Sequence, residues 1–317
     1  MAQGSFISER DLIRRISTIL GGIANDDCAV LDSGDRYLVA TTDMLHRKSD
    51  FPEITTPWQI GWMTVAANLS DVAAMGAKPS GVLIAAGIPQ GTDLAFIDGI
   101  FSGFSDCTEA FGTRVLGGDM DSTDELNLTG FAMGFVEKDL ILRRCGASPG
   151  DILCTTGTLG AAGAGLLQLQ RGEDKGAFVK NLLEPVPRIK EGRALALSRS
   201  VTAMMDNSDG LALSLSDLSE VSGVGFVLKE EAIPLSPGIE ESFGRANGLE
   251  LAMRAGGDFE LIFTVRPSRI EAASRAVEDL TILGHAVEEG LWMEAGGKMR
   301  RIEPRGYEHS IMTDPSS

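Results

Sequence analysis

The sequence predicts a mixed chain of α/β or α+β type, built as two successive units. Three observations lead there. Strand-like runs that end on small polar residues alternate with segments of helical period. A turn-rich stretch, CGASPGD at 145–151, interrupts this alternation near the middle. The length of 317 residues is that of about two domains. The boundary is placed at 147/148, giving units 1–147 and 148–317.

In order along the first unit, RYLVATTD (36–43) alternates as a strand and closes on a carboxylate. WQIGWMTVAANLSDVAAMG (58–76) carries apolar residues at helical spacing and stops at Gly76 and Pro79. A strand over 81–88, a helix near 92–111 and strands near 113–118 and 126–136 complete the unit. The second unit opens with ILCTT (152–156), which runs into the glycine-rich GTLGAAGAGLLQL. Helices are expected near 188–199, 210–221, 239–247 and 267–279. Strands are expected at 201–206, 225–228 and 258–265 (DFELIFTV). The last five or so residues read as a frayed tail.

Composition narrows the function. With 28 Lys and Arg against 45 Asp and Glu, the net charge is −17, which repels nucleic acid and anionic membranes, so neither is an expected partner. The N-terminus has no apolar signal core, and the longest small-apolar run, 81–89, falls far short of the ~20 residues of a membrane span. Cys28, Cys107, Cys145 and Cys154 form no CxxC pair, so zinc is not expected, and free thiols in a cytoplasmic protein are. Three histidines, His46, His285 and His309, leave little room for imidazole chemistry.

Several aspartates share one setting, beside Gly, Ser, Thr or Asn at the end of an apolar stretch: Asp26, Asp27, Asp43, Asp71, Asp119, Asp206 and Asp209. Each alone reads equally as a helix cap or turn residue, Asp209 before Gly210 most of all. Gathered at converging strand ends they would repel strongly, and only raised pKa values or bound hard cations relieve that. Mg²⁺ suits such a site, because it takes carboxylate oxygens and shares its remaining positions with phosphate. The loop from Gly157 to Gly165 either offers amides to a phosphate at a helix start or is a tight strand-to-helix turn. The P-loop, the dinucleotide-fold GxGxxG, HExxH and GxSxG are all absent from the sequence.

Read in order, NDDCAVL (25–31), TTDML (41–45), NLSDVAAMGAKP (68–79), LGGDMDST (116–123), RRCGASPGD (143–151), TTGTLGAAGAGL (155–166), DNSDGL (206–211) and GGDFELIFTV (256–265) resemble the thiamine-monophosphate kinases. That family belongs to the superfamily of aminoimidazole ribonucleotide synthetase, selenophosphate synthetase and the hydrogenase-maturation dehydratase. The resemblance implies an N-terminal sheet domain that binds ATP and Mg²⁺ and pairs into a homodimer, followed by a C-terminal α/β domain. It implies phosphoryl transfer from ATP to thiamine monophosphate, with Mg²⁺ held by Asp27, Asp43, Asp71, Asp119, Asp206 and Asp209, and by Thr41 and Thr42. Among these it gives Asp27, Asp71, Asp119 and Asp209 catalytic roles. Gly118, Asp119, Arg144 and Ser208 match positions that contact ATP.

The acceptor half departs from the family pattern. Asp50 stands where a histidine is usual, Gly257 where a glutamate is, and Ser310 where a phenylalanine is, while Tyr307 supplies the aromatic that stacks on the thiamine ring. His46, Trp58 and Trp62 are further candidates for lining that pocket. Two other readings stand beside the kinase. One is a superfamily enzyme that phosphorylates an amide or carbonyl oxygen, and the other is a non-catalytic nucleotide-binding regulator.

Overall fold

The longest helix explains how the molecule is organised. Thr56 opens it with a reciprocal capping box: its hydroxyl accepts from the Gln59 amide at 3.3 Å, and the Gln59 side chain accepts from the Thr56 amide at 3.1 Å. Pro57 occupies the first turn, where no amide donor is needed. Most of the residues that follow are apolar, and twelve of the eighteen in the helix are buried on several sides, so the helix is enclosed rather than amphipathic.

In the computed structural model, residues 5–23, 25–308 and 311–313 are described. Ser310 and His309 lie outside them. The first half contains β1 (Ser5–Ile7), α1 (Glu9–Ile19), β2 (Ala29–Asp32), β3 (Arg36–His46) and the capped helix α2 (Pro57–Ala74). It continues with β4 (Lys78–Pro89), α3 (Leu94–Ala110), β5 (Val115–Thr123) and β6 (Asn127–Glu137). The second half begins with β7 (Ile152–Thr155), α4 (Ala161–Gln170), α5 (Ala177–Leu183), α6 (Ile189–Ser198), β8 (Val201–Asp206) and α7 (Leu211–Ser222). After these come β9 (Gly225–Lys229), α8 (Ile239–Phe243), α9 (Arg245–Arg254), β10 (Leu261–Val265) and α10 (Ile270–Ala276). The chain closes with β11 (Thr281–Val287), β12 (Leu291–Ala295), β13 (Lys298–Arg301) and β14 (Ile311–Thr313).

Strands of the first half form one sheet in the order β2-β3-β6-β4-β5, in which only β4 and β5 run parallel. Those of the second half form a sheet in the order β13-β12-β9-β11-β7-β10-β8, in which only β9 and β12 run parallel. Mostly antiparallel sheets with separate helices make this the α+β variant of the predicted class. β1 and β14 pair to join the two ends of the chain. None of the described helices is long and apolar enough to cross a membrane.

Helix α2 lies between the halves. Its neighbours on one side are β3, β6 and α3, and on the other α6 and β8, and one hydrophobic core runs through all of them. Close approach depends on glycine: a Cβ at Gly61 of α2 would fall 2.0 Å from the Ile100 carbonyl, and one at Gly103 of α3 2.0 Å from the Trp58 carbonyl.

Some boundaries differ from expectation. The helix read at 239–247 is two, α8 and α9, broken at Gly244, whose φ of 77° and ψ of 152° no helix contains. The strand read at 258–265 begins only at Leu261, because Gly257 (φ 97°) and Phe259 (φ 52°) turn the chain before it. Trp58 and Trp62 stack with ring centres 5.1 Å apart, and their indoles donate to Asp106 and to the Pro185 carbonyl. They brace α3 and the loop before α6 rather than open a pocket.

Candidate active site

Asn68 and Asp71 sit one turn apart on the face of α2 that overlies β3. Asp71 accepts from the Thr41 hydroxyl at 2.5 Å, and the Asn68 carbonyl oxygen accepts from the Asp43 amide at 3.0 Å. Asn68 fits there because Gly130 of β6 has no side chain; a Cβ would come 2.2 Å from its amide nitrogen. Ser70 points the other way, toward the second half, and donates to Asp206 at the end of β8 at 2.6 Å. The loop before β2 adds Asp27. Carboxylate oxygens of Asp27, Asp71 and Asp206 lie within 4.8 Å of one another.

One arginine faces this group. Arg144, on the connector between the halves, donates to a single oxygen of Asp27 from Nη2 at 2.7 Å and Nε at 3.1 Å. Its neighbour Arg143 is directed to Asp26 at 3.1 Å. Burial pushes the Asp27 carboxyl up to about 7, against the pull of Arg144, and the charge of Asp206 adds to the rise. Burial also lifts Asp206, opposed by the Ser70 hydrogen bond, and Asp43, each to about 6. Asp71 is raised well above the usual carboxylate range, first by burial and then by Asp43, Asp206 and Asp27. Two buried oxygens, Asp27 Oδ2 and Asp206 Oδ1, have no hydrogen-bond partner. Unpaired buried carboxylate oxygens set this close together are the donor set of a hard divalent cation such as Mg²⁺.

A cavity of about 600 Å³ adjoins the carboxylates, lined by Asn25, Asp26, Arg144, Met205, Ser208, Asp209 and Tyr307, and by one side of α1. Arg10 and Arg14 fasten α1 to α7 through Asp217 and Glu220 at 3.0 and 3.1 Å. Asp209 does not cap α7: Gly210 holds that position without a side-chain bond. The Asp209 carboxyl faces the cavity instead, raised to about 6 by burial. Its carbonyl accepts from the Tyr307 amide at 3.0 Å. Tyr307 packs over Gly256, close enough that a Cβ there would meet its own Cβ at 3.2 Å. Burial and the charges of Asp50 and Asp209 raise the Tyr307 phenol. Asp50 thus lies near Tyr307, its carboxylate fixed by the His46 amide at 2.8 Å and the Ser49 hydroxyl at 2.6 Å.

Several predicted members lie elsewhere. Asp119 and Gly118 sit on the exposed edge strand β5, with Asp119 in register with Ala85, Thr129 and Met44. Three strand spacings, about 14 Å, separate β5 from β3. Within one chain, therefore, Asp119 does not join Asp27, Asp71 and Asp206. The Thr42 hydroxyl donates to the Gly130 carbonyl at 2.8 Å rather than to the carboxylates. His46 faces Glu125 at 3.7 Å. Gly257 lines a separate small cavity beside Arg188 and Asp258, its amide donating to the Ser208 carbonyl at 2.8 Å.

Two amides of the glycine-rich loop are already taken. At the start of α4, the amides of Gly160 and Ala162 donate to Asp258 at 2.6 and 3.0 Å, so a carboxylate of the chain itself fills the anion position. The buried Arg188–Glu260 pair, with Thr156 donating to Glu260 at 2.6 Å, was also missed. So were Asn68 and Ser70, although they flank Asp71 in the NLSD segment and share its helix.

The two halves match two known families. Residues 25–136 match the AIR synthase related protein N-terminal domain, and residues 148–291 its C-terminal domain. The fold and the acidic site thus define an AIR synthase-related protein. The thiamine-monophosphate kinase of Methanospirillum hungatei is 40% identical over 304 residues, covering 96% of this chain and 99% of its own length. That of Archaeoglobus fulgidus is 34% identical, with 96% and 98% covered. This chain belongs to the thiamine-monophosphate kinase family. Among solved structures, AaThiL complexed with AMPPCP and TMP superposes with a TM-score of 0.87 at 29% identity, covering 95% of this chain and 97% of that one. The hydrogenase maturation protein HypE of E. coli, at 21% identity and a TM-score of 0.71, shares the fold.

Proposed function

We propose that this chain transfers the γ-phosphoryl group of ATP to thiamine monophosphate, giving thiamine diphosphate. The observation that carries the reading is the buried group Asp27, Asp71 and Asp206, drawn from both halves of a chain in this family, with two oxygens left unpaired. Asp27, Asp71, Asp206 and the adjacent Asp43 would hold Mg²⁺. When bound, the metal supplies positive charge to the phosphates and aligns donor with acceptor.

The remaining work falls to residues of the chain. The 600 Å³ cavity is of the size that takes a nucleotide, and it exposes Ile13 and Ile23 as apolar surface for a base. Arg144 and Ser208 stand at its inner end, where triphosphate would meet the carboxylates. The acceptor's own phosphate is a competent nucleophile near neutral pH, so no side-chain base is needed and positioning dominates. Thiamine carries a fixed thiazolium charge, and Tyr307 beside Asp50 offers an aromatic face and a carboxylate suited to an organic cation. The altered Asp50 is thereby an acceptor residue rather than a loss.

The same reading takes 1–147 and 148–317 as the two domains and a homodimer as the working form. The first sheet is covered by α2 and α3 on one face only. On the other it presents Met44, Leu83, Phe131, Met133 and Leu116, several of them strongly exposed. A second copy covering that face would also cover the edge strand β5, and any part Asp119 takes in phosphate binding requires that copy. The test of the activity is steady-state kinetics with ATP, Mg²⁺ and thiamine monophosphate beside other phosphate monoesters. Thiamine diphosphate should form, and Asp71→Asn should abolish it. If thiamine monophosphate yields no product while another monoester is phosphorylated, the acceptor assignment fails.

A further inference from the structure

A second cavity of about 560 Å³ lies at the opposite end of β8 from Asp206. Its walls come from both halves: the connector residues Leu140, Ile141 and Leu142, the end of α6, the start of β8, and the turn after β10. Arg199, Arg266 and Arg269 all line it. Three guanidinium groups on one cavity are unexpected in a chain of net charge −17.

Their bonding leaves capacity for a ligand. Arg199 pairs with Asp139 at the rim, and Arg269 donates from one nitrogen to the Ser198 carbonyl at 2.9 Å. The guanidinium of Arg266 has no hydrogen-bond or ion-pair partner among the described residues. With Asp139 the one lining carboxylate among the described residues, the cavity carries a local excess of positive charge. Arg199 also holds a left-handed backbone (φ 55°, ψ 28°) at the end of α6, a position glycine usually fills. Below the arginines, Leu140, Leu142 and Ala196 are buried and form an apolar floor.

We propose that this cavity is a second binding site, taking a small organic phosphate whose oxyanion meets the arginines and whose apolar part lies on the leucine floor. Guanidinium forks match phosphate oxygens in pairs, and the volume is that of a small-molecule site. The site is distinct from the carboxylate centre, since the length of β8 separates them, and its occupancy does not depend on the kinase reading. The connector is common to both: Leu142 of the floor precedes Arg143 and Arg144, which hold Asp26 and Asp27.

Calorimetry on the full chain in EDTA tests this, with phenyl phosphate as the probe, because the acidic centre without cations repels phosphate. The wild type should bind, and Asp71→Asn should bind equally well. Arg266→Ala, which removes no bond within the fold, should weaken binding about tenfold or more, the range for one lost charge-assisted hydrogen bond. Its thermal unfolding should match the wild type. Inorganic phosphate, lacking the apolar part, should bind more weakly. Absence of binding at millimolar phenyl phosphate, equal affinity in Arg266→Ala, or equal affinity for inorganic phosphate would each overturn the proposal.

Discussion

Asp206 offers the sharpest perturbation of the carboxylate group. Its folded pKa of about 6 lies above the 3.8 of an ordinary aspartate because burial penalises the charge, and among the described residues Ser70 alone is hydrogen-bonded to it. Between those values the folded chain holds a proton that the unfolded chain has released. Stability without metal therefore falls as pH rises from about 4 to about 6, then levels off. A rise of that size is worth roughly 3 kcal/mol, an upper value because Asp27, Asp43 and Asp71 titrate together with it. Asp206→Asn keeps the Ser70 contact and removes the charge, so in EDTA at pH 8 it should raise stability by roughly 1 to 3 kcal/mol. At pH 4 it should change little. Mg²⁺ should stabilise the wild type at pH 8, hardly affect it at pH 4, and do markedly less for the variant. Urea unfolding followed by tryptophan fluorescence reads all of these, since Trp58 and Trp62 lie at the start of α2. If Asp206→Asn is less stable than the wild type at pH 8 in EDTA, the account of a destabilising metal-free charge cluster is wrong.

Tyr307→Ala should raise the KM for thiamine monophosphate by an amount worth roughly 1 kcal/mol or more while leaving the KM for ATP near its wild-type value; an unchanged acceptor KM would remove Tyr307 from the pocket. Light scattering should find a dimer, and Leu83→Lys with Phe131→Lys on the open sheet face should convert it to monomer and depress activity. A fully active monomer would exclude that face as the working interface.

The sequence already carried the strands and helices with clean punctuation. Thr41 and Asp43 are placed by the alternation of β3, and Asp71 by the helical spacing of NLSD, so three members of the site follow from periodicity and one turn of helix. Asp119 shows where that logic stops. It shares the small-residue setting of the other aspartates, yet pairing order puts β5 at the sheet edge, and no local pattern encodes strand order. The glycine-rich loop misleads for a different reason. Amides at the start of α4 suit any anion, and whether phosphate or Asp258 takes them depends on a turn 98 residues away in the chain. The unusual backbone at Gly257 and Phe259 that brings Asp258 there also shortened the expected strand.

Charge balance at the centre gives the strongest reason to expect metal rather than more arginine. Asp27, Asp71 and Asp206 face one another across the two halves, with the charge of Asp43 acting on Asp71 and Asp206, and Arg144 is bonded to Asp27 alone, since Arg143 is committed to Asp26. Without cations the group lowers its charge by retaining protons, as the raised pKa values of Asp27, Asp43 and Asp206 require. A triphosphate brought to such a surface would be repelled by every carboxylate still ionised. Among the described residues no lysine lies beside these carboxylates and one arginine, Arg144, pairs with them, which does not reverse that sign. Asp27, Asp43, Asp71 and Asp206 would hold hard cations in place of the retained protons, with the unpaired oxygens of Asp27 and Asp206 as ligands, and such cations would supply the positive charge that phosphate needs there. Binding of nucleotide and release of protons are then one coupled event, so ATP affinity should rise with pH through the range in which these aspartates titrate.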